Sequence, residues 1–266
     1  VLKSLAFIAI ASYLGLAAVL WLLQEKILFH PVPVFARTFP PAGWTLEEVR
    51  ITAKDGTTLV GVLLKPPGDP APLVIYYGGN AEEITAWAPV ADQYGQRAML
   101  LVNYRGYGHS AGSPSEKALV GDALEIYDWA SKRPDIDASR IALHGRSLGS
   151  GIAVQVAAQR AVRALLLTSP YDSALEVARG IYPYLPIAWM LRHPFDSAAH
   201  APRLKIPALV IYGTTDTIIP PRHSLRLADL WGGPTERVAL SGQGHNDIDS
   251  DPKYYPALSG FLDRHL

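Results

Sequence analysis

The chain has 266 residues, enough to bury one large core, and its 24 basic and 24 acidic side chains cancel. That balance removes the electrostatic case for nucleic acid as a partner. The absence of cysteine removes disulfides, a thiol nucleophile and thiolate metal sites.

From Leu5 to Leu23 every residue is apolar or small apart from Ser12, Tyr13 and Trp21. As a helix, a run of about nineteen such residues crosses most of a bilayer's hydrocarbon core. Lys3 precedes it and Gln24-Glu25-Lys26 closes it, without the small-x-small pattern that ends a cleaved signal peptide. The run therefore predicts a retained membrane anchor over 1–26 in preference to a cleaved signal. A helix lying in the interface fits less well, because no polar stripe runs along it. Lys3 on one side and Lys26 and Arg37 on the other set no orientation, so the side of the membrane stays open. Residues 27–43, with Pro31, Pro33, Pro40 and Pro41, predict a stiff extended tether that holds the following domain close to the bilayer.

Residues 44–266 read as one α/β domain. Trp44–Ile51 and Thr57–Leu64 are β-rich runs joined by Lys54-Asp55-Gly56, a hairpin signature. Six short apolar runs follow, at Leu73–Tyr76, Ala98–Asn103, Ile141–Leu143, Ala164–Thr168, Ala208–Tyr212 and Arg237–Leu240. Their composition is that of strands buried on both faces. Helical segments alternate with them, the clearest from Ser115 to Lys132, for which Ser113 and Glu116 predict a capping box with Pro114 in the first helical position. The pattern predicts an α/β fold: a mostly parallel eight-stranded sheet with helices on both faces and its site at the carboxyl ends of the strands.

At one such strand end stands Gly145-Arg-Ser-Leu-Gly149, between Arg140–Leu143 and the small-residue-rich Ile152–Ala158. A strand, a sharp turn and a helix would lift Ser147 to the tip as a nucleophile, with glycine at 145 and 149 because side chains there would strike the strand or helix. The backbone N–H of Leu148, at the helix start, then faces an oxygen gaining charge. The motif alone is also compatible with a plain Gly/Ser-rich helix start. Three further strand ends add to it. Gly78-Gly79-Asn80-Ala81 offers the Asn80 N–H as second oxyanion donor, or is a plain glycine turn. Asp216, after Ala208–Gly213, can accept from a histidine Nδ1–H, or cap a helix. His245, in the glycine-flanked loop after Val238–Leu240, can swing over the sheet as general base. Ser147, Asp216 and His245 each end an expected strand, in the chain order of nucleophile, acid and base in α/β hydrolases. Asp172 is the fallback acid, His144 reads as a core histidine, Arg105 as a brace between loops, and Asp247 and Asp249 as turn residues. No cluster has metal-ligand spacing and no glycine-rich dinucleotide motif follows the first strand, so the reading calls for no cofactor and no metal.

In these residues the chain resembles the α/β-hydrolase-domain family, and more narrowly its membrane-anchored branch, which includes enzymes that remove palmitate from proteins. The resemblance rests on Tyr77-Gly-Gly-Asn-Ala81, Asn103-Tyr-Arg-Gly-Tyr-Gly108, Gly145–Gly149, Gly213-Thr-Thr-Asp216 and Gly244-His-Asn-Asp247. It implies an α/β-hydrolase fold with Ser147 as nucleophile, Asp216 as acid and His245 as base. One departure is Gly78-Gly79, where the family commonly has His-Gly, which bears on the shape of the oxyanion hole. A serine at the elbow disfavours the dehalogenase and epoxide-hydrolase chemistries, which need a carboxylate there.

Residues 171–203 form an insertion longer than one covering helix needs, with a nearly all-apolar stretch at Gly180–Leu191. It is either a cap packed on its own core or a lid whose Tyr182, Tyr184, Leu185, Ile187, Trp189 and Met190 meet an acyl chain. The resulting expectation is a membrane-anchored serine hydrolase acting on long-chain acyl esters or thioesters, with a lipid or S-acylated protein as substrate and the bilayer as partner. The other readings are a lysophospholipase, a monoacylglycerol lipase, a general carboxylesterase, or a catalytically silent membrane-tethered binding module.

Overall fold

The computed structural model of the chain describes residues 2–35 and 37–266. The described chain opens with α1 (Leu2–Leu28), which ends two residues past the expected anchor because no helix breaker stands before Pro31. The segment after it is not a free spacer. Phe29 is buried in the domain core, the His30 N–H donates to Asn80 O at 3.0 Å, and Val32 O accepts the Gly108 N–H at 2.8 Å. Its backbone and its one buried aromatic dock this stretch onto the domain.

β1 (Thr45–Thr52) and β2 (Thr58–Lys65) pair antiparallel. At their turn Gly56 adopts a φ of 85° and the Asp55 carboxylate accepts the Thr57 N–H at 3.0 Å. The remaining strands are β3 (Ala71–Tyr77), β4 (Ala98–Val102), β5 (Ile136–Arg146), β6 (Ala164–Thr168), β7 (Ala208–Gly213) and β8 (Thr235–Leu240). The sheet order is β1-β2-β4-β3-β5-β6-β7-β8, antiparallel through β1, β2 and β4 and parallel from β4 to β8. This is the mostly parallel eight-stranded sheet that the sequence predicts.

Because successive strand residues point to opposite faces, each central strand feeds two cores. Leu73, Ile75 and Tyr77 of β3 join a cluster with α2 (Glu116–Ala130) and α3 (Leu148–Ala157). Val74 and Tyr76 join another, with the 3-10 segment Ile84–Tyr94 and α8 (Tyr254–His265). His144 lies fully buried on this second side, held by the Tyr94 hydroxyl at Nδ1 and the Thr168 hydroxyl at Nε2, each at 2.9 Å. It is a core histidine, and its burial, with the Arg146 charge nearby, pushes its pKa down to about 3.

The expected capping box does not form. α2 begins at Glu116 with Ser115 as N-cap, whose hydroxyl accepts the Ala118 N–H at 3.3 Å. The Glu116 side chain is instead taken by Gln155 Nε2 at 3.0 Å on α3, a tertiary contact that competes with the local one. Arg105 braces as expected, bridging Asp122 of α2 at 2.7 Å and Asp55 of the β1–β2 turn at 2.8 Å. Between β6 and β7 the insertion folds as α4 (Ala174–Ile181), α5 (Ile187–Met190) and α6 (Ser197–His200), and α7 (Pro221–Leu230) follows β7.

Candidate active site

The turn from β5 into α3 carries Ser147 at φ 50° and ψ −119°, a strained conformation for a residue with a side chain. It persists because both sides of the turn are fixed. The Ser147 N–H donates to Thr168 O on β6 at 2.9 Å, and Ser147 O accepts both the N–H and the hydroxyl of Ser150. A Cβ on Gly145 would lie 2.5 Å from Gly149 O and 2.6 Å from Ser150 Cα, and one on Gly149 would collide with the Tyr77 carbonyl on β3. The two glycines have the steric cause read from the sequence.

Three strand ends converge on that serine. His245 Nε2 lies 2.9 Å from Ser147 Oγ, and His245 Nδ1 lies 2.7 Å from Asp216 Oδ2. Asp216 is almost fully buried; its other oxygen accepts the N–H groups of Ile218 at 2.9 Å and Ile219 at 2.8 Å. Burial alone would raise its pKa, but the hydrogen bond and charge of His245 and the two backbone donors outweigh that and hold the carboxyl below its ordinary value. A carboxylate kept ionised there fixes the imidazole so that Nε2 faces the serine as an acceptor. Asp172, the fallback acid, is elsewhere: its carboxylate meets His223 Nδ1 at 2.8 Å and the Ser173 N–H at 3.0 Å.

The oxyanion side is built as a pinned loop. Gly78 O accepts the Tyr104 hydroxyl at 2.8 Å, Asn80 O accepts the Tyr107 hydroxyl at 2.7 Å, and Asn80 Nδ2 donates to Leu28 O at 3.1 Å. Among the described residues, no acceptor takes the backbone N–H of Asn80 or of Leu148, and both residues line the same cavity as Ser147 and His245. Where a histidine is common in the family, Gly78 leaves room for the Glu82 carboxylate, which a Cβ would meet at 2.7 Å. Glu82 is held by Tyr76 at 3.0 Å and by Arg146 at 2.8 Å, and Arg146 also donates to His245 O at 3.3 Å. One buried guanidinium thus ties the oxyanion loop to the histidine loop. Of the two nearby acids, Asp247 makes the expected turn bond, accepting the Gly244 N–H at 2.7 Å, while Asp249 instead faces Arg146 at 4.0 Å.

The cavity beside Ser147 measures about 510 Å³ and is mostly apolar. Of the six cap residues read from the sequence, Tyr182, Ile187 and Met190 line it. Tyr184, Leu185 and Trp189 do not. Tyr184 and Trp189 are 88% and 90% exposed: Tyr184 sits in the turn between the prolines at 183 and 186, and Trp189 on the outer face of α5 (Ile187–Met190). The wall that sequence reasoning missed comes from α1: Leu20, Trp21, Gln24, Ile27 and Leu28 face the same space. A clamp holds that helix to the cap. Gln24 accepts the Arg192 N–H at 2.8 Å and donates to Met190 O at 3.1 Å, while Arg192 meets Glu25 at 3.0 Å and stacks over the Trp21 ring at 4.4 Å.

No family model matches the chain. It is 35% identical over 254 residues to the uncharacterized protein Rv2307c of Mycobacterium tuberculosis, covering 92% of this chain and 89% of that one. It is 29% identical over 230 residues to the α/β hydrolase domain-containing protein WAV2 of Arabidopsis thaliana, covering 77% and 75%. Among solved structures, the acetyl xylan esterase from Paenibacillus sp. R4 superposes with a TM-score of 0.69 at 22% identity over 93% of this chain and 94% of that one. That likeness shows a shared α/β-hydrolase fold.

Proposed function

We propose that the chain is a membrane-anchored serine hydrolase of the α/β-hydrolase-domain family that cleaves long-chain acyl esters or thioesters. The observation that carries the reading is the relay from Ser147 Oγ through His245 to Asp216, at 2.9 and 2.7 Å, with the serine on a strained elbow at the mouth of an apolar cavity.

Ser147 Oγ bonds to the acyl carbonyl carbon as its proton passes to His245 Nε2, and the carbonyl electron pair moves onto oxygen. The N–H groups of Leu148 and Asn80 stabilise that oxyanion. When the intermediate collapses, the C–O or C–S bond breaks and the leaving alcohol or thiol takes the proton from His245. A water, deprotonated by the same nitrogen, then attacks the acyl-serine and releases the acid. Asp216 stays ionised throughout and stabilises the imidazolium.

The cavity supports the substrate class. Each methylene moved from water into an apolar wall contributes about 0.8 kcal/mol, so a long chain supplies most of the binding energy while the polar rim handles only the ester. Within that class we favour S-acylated protein, as the resemblance to depalmitoylating enzymes implies. The test is a chain-length series of p-nitrophenyl esters run beside a palmitoyl-cysteine peptide. The reading expects kcat/KM to rise with chain length and the peptide to be cleaved; rates that fall steadily beyond short chains refute the acyl pocket. Cleavage of long-chain glycerides or lysophospholipids with the peptide untouched moves the substrate to the lipase class.

A further inference from the structure

The contacts between α1 and the cap fix how deep the cap lies once α1 is in a bilayer. Gln24 and Glu25 meet Arg192 at the polar end of the helix. Well up the same helix, the Tyr13 hydroxyl donates to Tyr184 O at 2.9 Å. The rise of a helix puts these two contacts about 16 Å apart along its axis. The part of α1 that the cap contacts thus spans roughly half of a hydrocarbon core of about 30 Å. A span that ends at Gln24-Glu25-Lys26 carries Tyr184 about one leaflet deep.

We propose that the cap segment 180–191 is inserted in the proximal leaflet beside α1, so that the cavity walled by both receives acyl chains from within the bilayer. The inference rests on the reading of α1 as a retained anchor.

Three properties of the segment fit that placement. No charged residue occurs between Arg179 and Arg192, and Arg192 with Glu25 sits at the level where headgroups and water begin. Tyr184 and Trp189 point outward, exposed by 88% and 90%, a cost in water that lipid removes. Its irregular backbone brings few free donors: the N–H groups of Tyr182, Leu185, Ile187, Trp189 and Leu191 bond to carbonyls of residues 178–187, and prolines 183 and 186 have none. Backbone in hydrocarbon has to be satisfied in this way.

The natural absence of cysteine permits a direct test on the full chain. Single-cysteine variants Phe7→Cys, Tyr184→Cys, Trp189→Cys and Ser139→Cys, the last on β5 at the end of the sheet away from Ser147, are labelled with an environment-sensitive fluorophore. They are reconstituted in phosphatidylcholine–phosphatidylglycerol vesicles carrying nitroxide on the acyl chains. The proposal expects blue-shifted, quenched emission at positions 7, 184 and 189 and water-like, unquenched emission at 139. Quenching at 7 with water-like emission at both 184 and 189 overturns the insertion of the cap and leaves the anchor standing. Water-like emission at all four positions overturns the anchor reading, and the proposal with it.

Discussion

Replacing Gly145 by alanine tests whether the tight turn under Ser147 sets the rate. The added methyl would lie 2.5 Å from Gly149 O, 2.6 Å from Ser150 Cα and 2.7 Å from Gly149 C. These are backbone atoms of the first turn of α3, so no rotamer change relieves the contact. Restoring an ordinary separation of about 3.5 Å requires that turn to withdraw by about 1 Å, and with it the Leu148 N–H and the hold on Ser147. Misplacement on that scale costs about 10²-fold in rate, and overpacking a filled site costs about 1–3 kcal/mol in stability. Hydrolysis of p-nitrophenyl butyrate by the full chain in detergent micelles, beside thermal unfolding followed by circular dichroism, reads both. Gly121→Ala is the control: nothing lies within 4 Å of a Cβ there. In the interior of α2 alanine is favoured over glycine by about 0.8–1 kcal/mol, so the control is neutral or stabilising. Wild-type turnover and melting in Gly145→Ala would refute the steric account of the elbow.

Asp216→Asn keeps the size of the side chain but removes the charge that His245 Nδ1 faces at 2.7 Å. It is expected to lower kcat by about 10⁴-fold through the wrong imidazole tautomer, while the far-ultraviolet spectrum stays native. A loss below tenfold would show that another group orients the histidine. His144 predicts the acid limb of stability: its folded pKa of about 3 lies below the ordinary 6.5, so between those values the unfolded chain binds the extra proton. Stability is then highest above about pH 6.5 and falls by up to about 1.4 kcal/mol per unit as pH drops. The lowered Asp216 carboxyl acts in the same direction, its contribution being lost as pH falls through its folded value. Urea unfolding of the wild type and of His144→Phe across pH 4–8 checks this, with a shallower slope expected in the variant; equal slopes would contradict it.

The sheet, the hairpin and the elbow were legible because each is encoded locally, by alternation, by Asp55-Gly56 and by glycines two residues either side of Ser147. Asp216 and His245 were legible because each closes a strand that composition marks out. What could not be read is set by contacts far apart in the chain. α1 reads as a membrane span from its composition, and nothing in it announces that Leu20, Trp21 and Ile27 face Ser147. The inward and outward sides of the cap depend on the turns at Pro183 and Pro186, which is why Tyr182 lines the cavity and Tyr184 faces away. The N-cap of α2 was misplaced because Glu116, a good partner for Ser113 on spacing, is drawn to Gln155 on another helix. Arg146 and Glu82 carry no motif of their own, and the tie they make between the oxyanion loop and the histidine loop was not legible.

The account stands on Ser147 being an activated nucleophile. Treating the folded full chain with an alkyl fluorophosphonate and mapping the adduct by peptide mass measures this directly. The account predicts one covalent adduct, on Ser147, that is lost in His245→Ala and after heat denaturation. An unlabelled chain, or an adduct on a different serine with Ser147 intact, would contradict it.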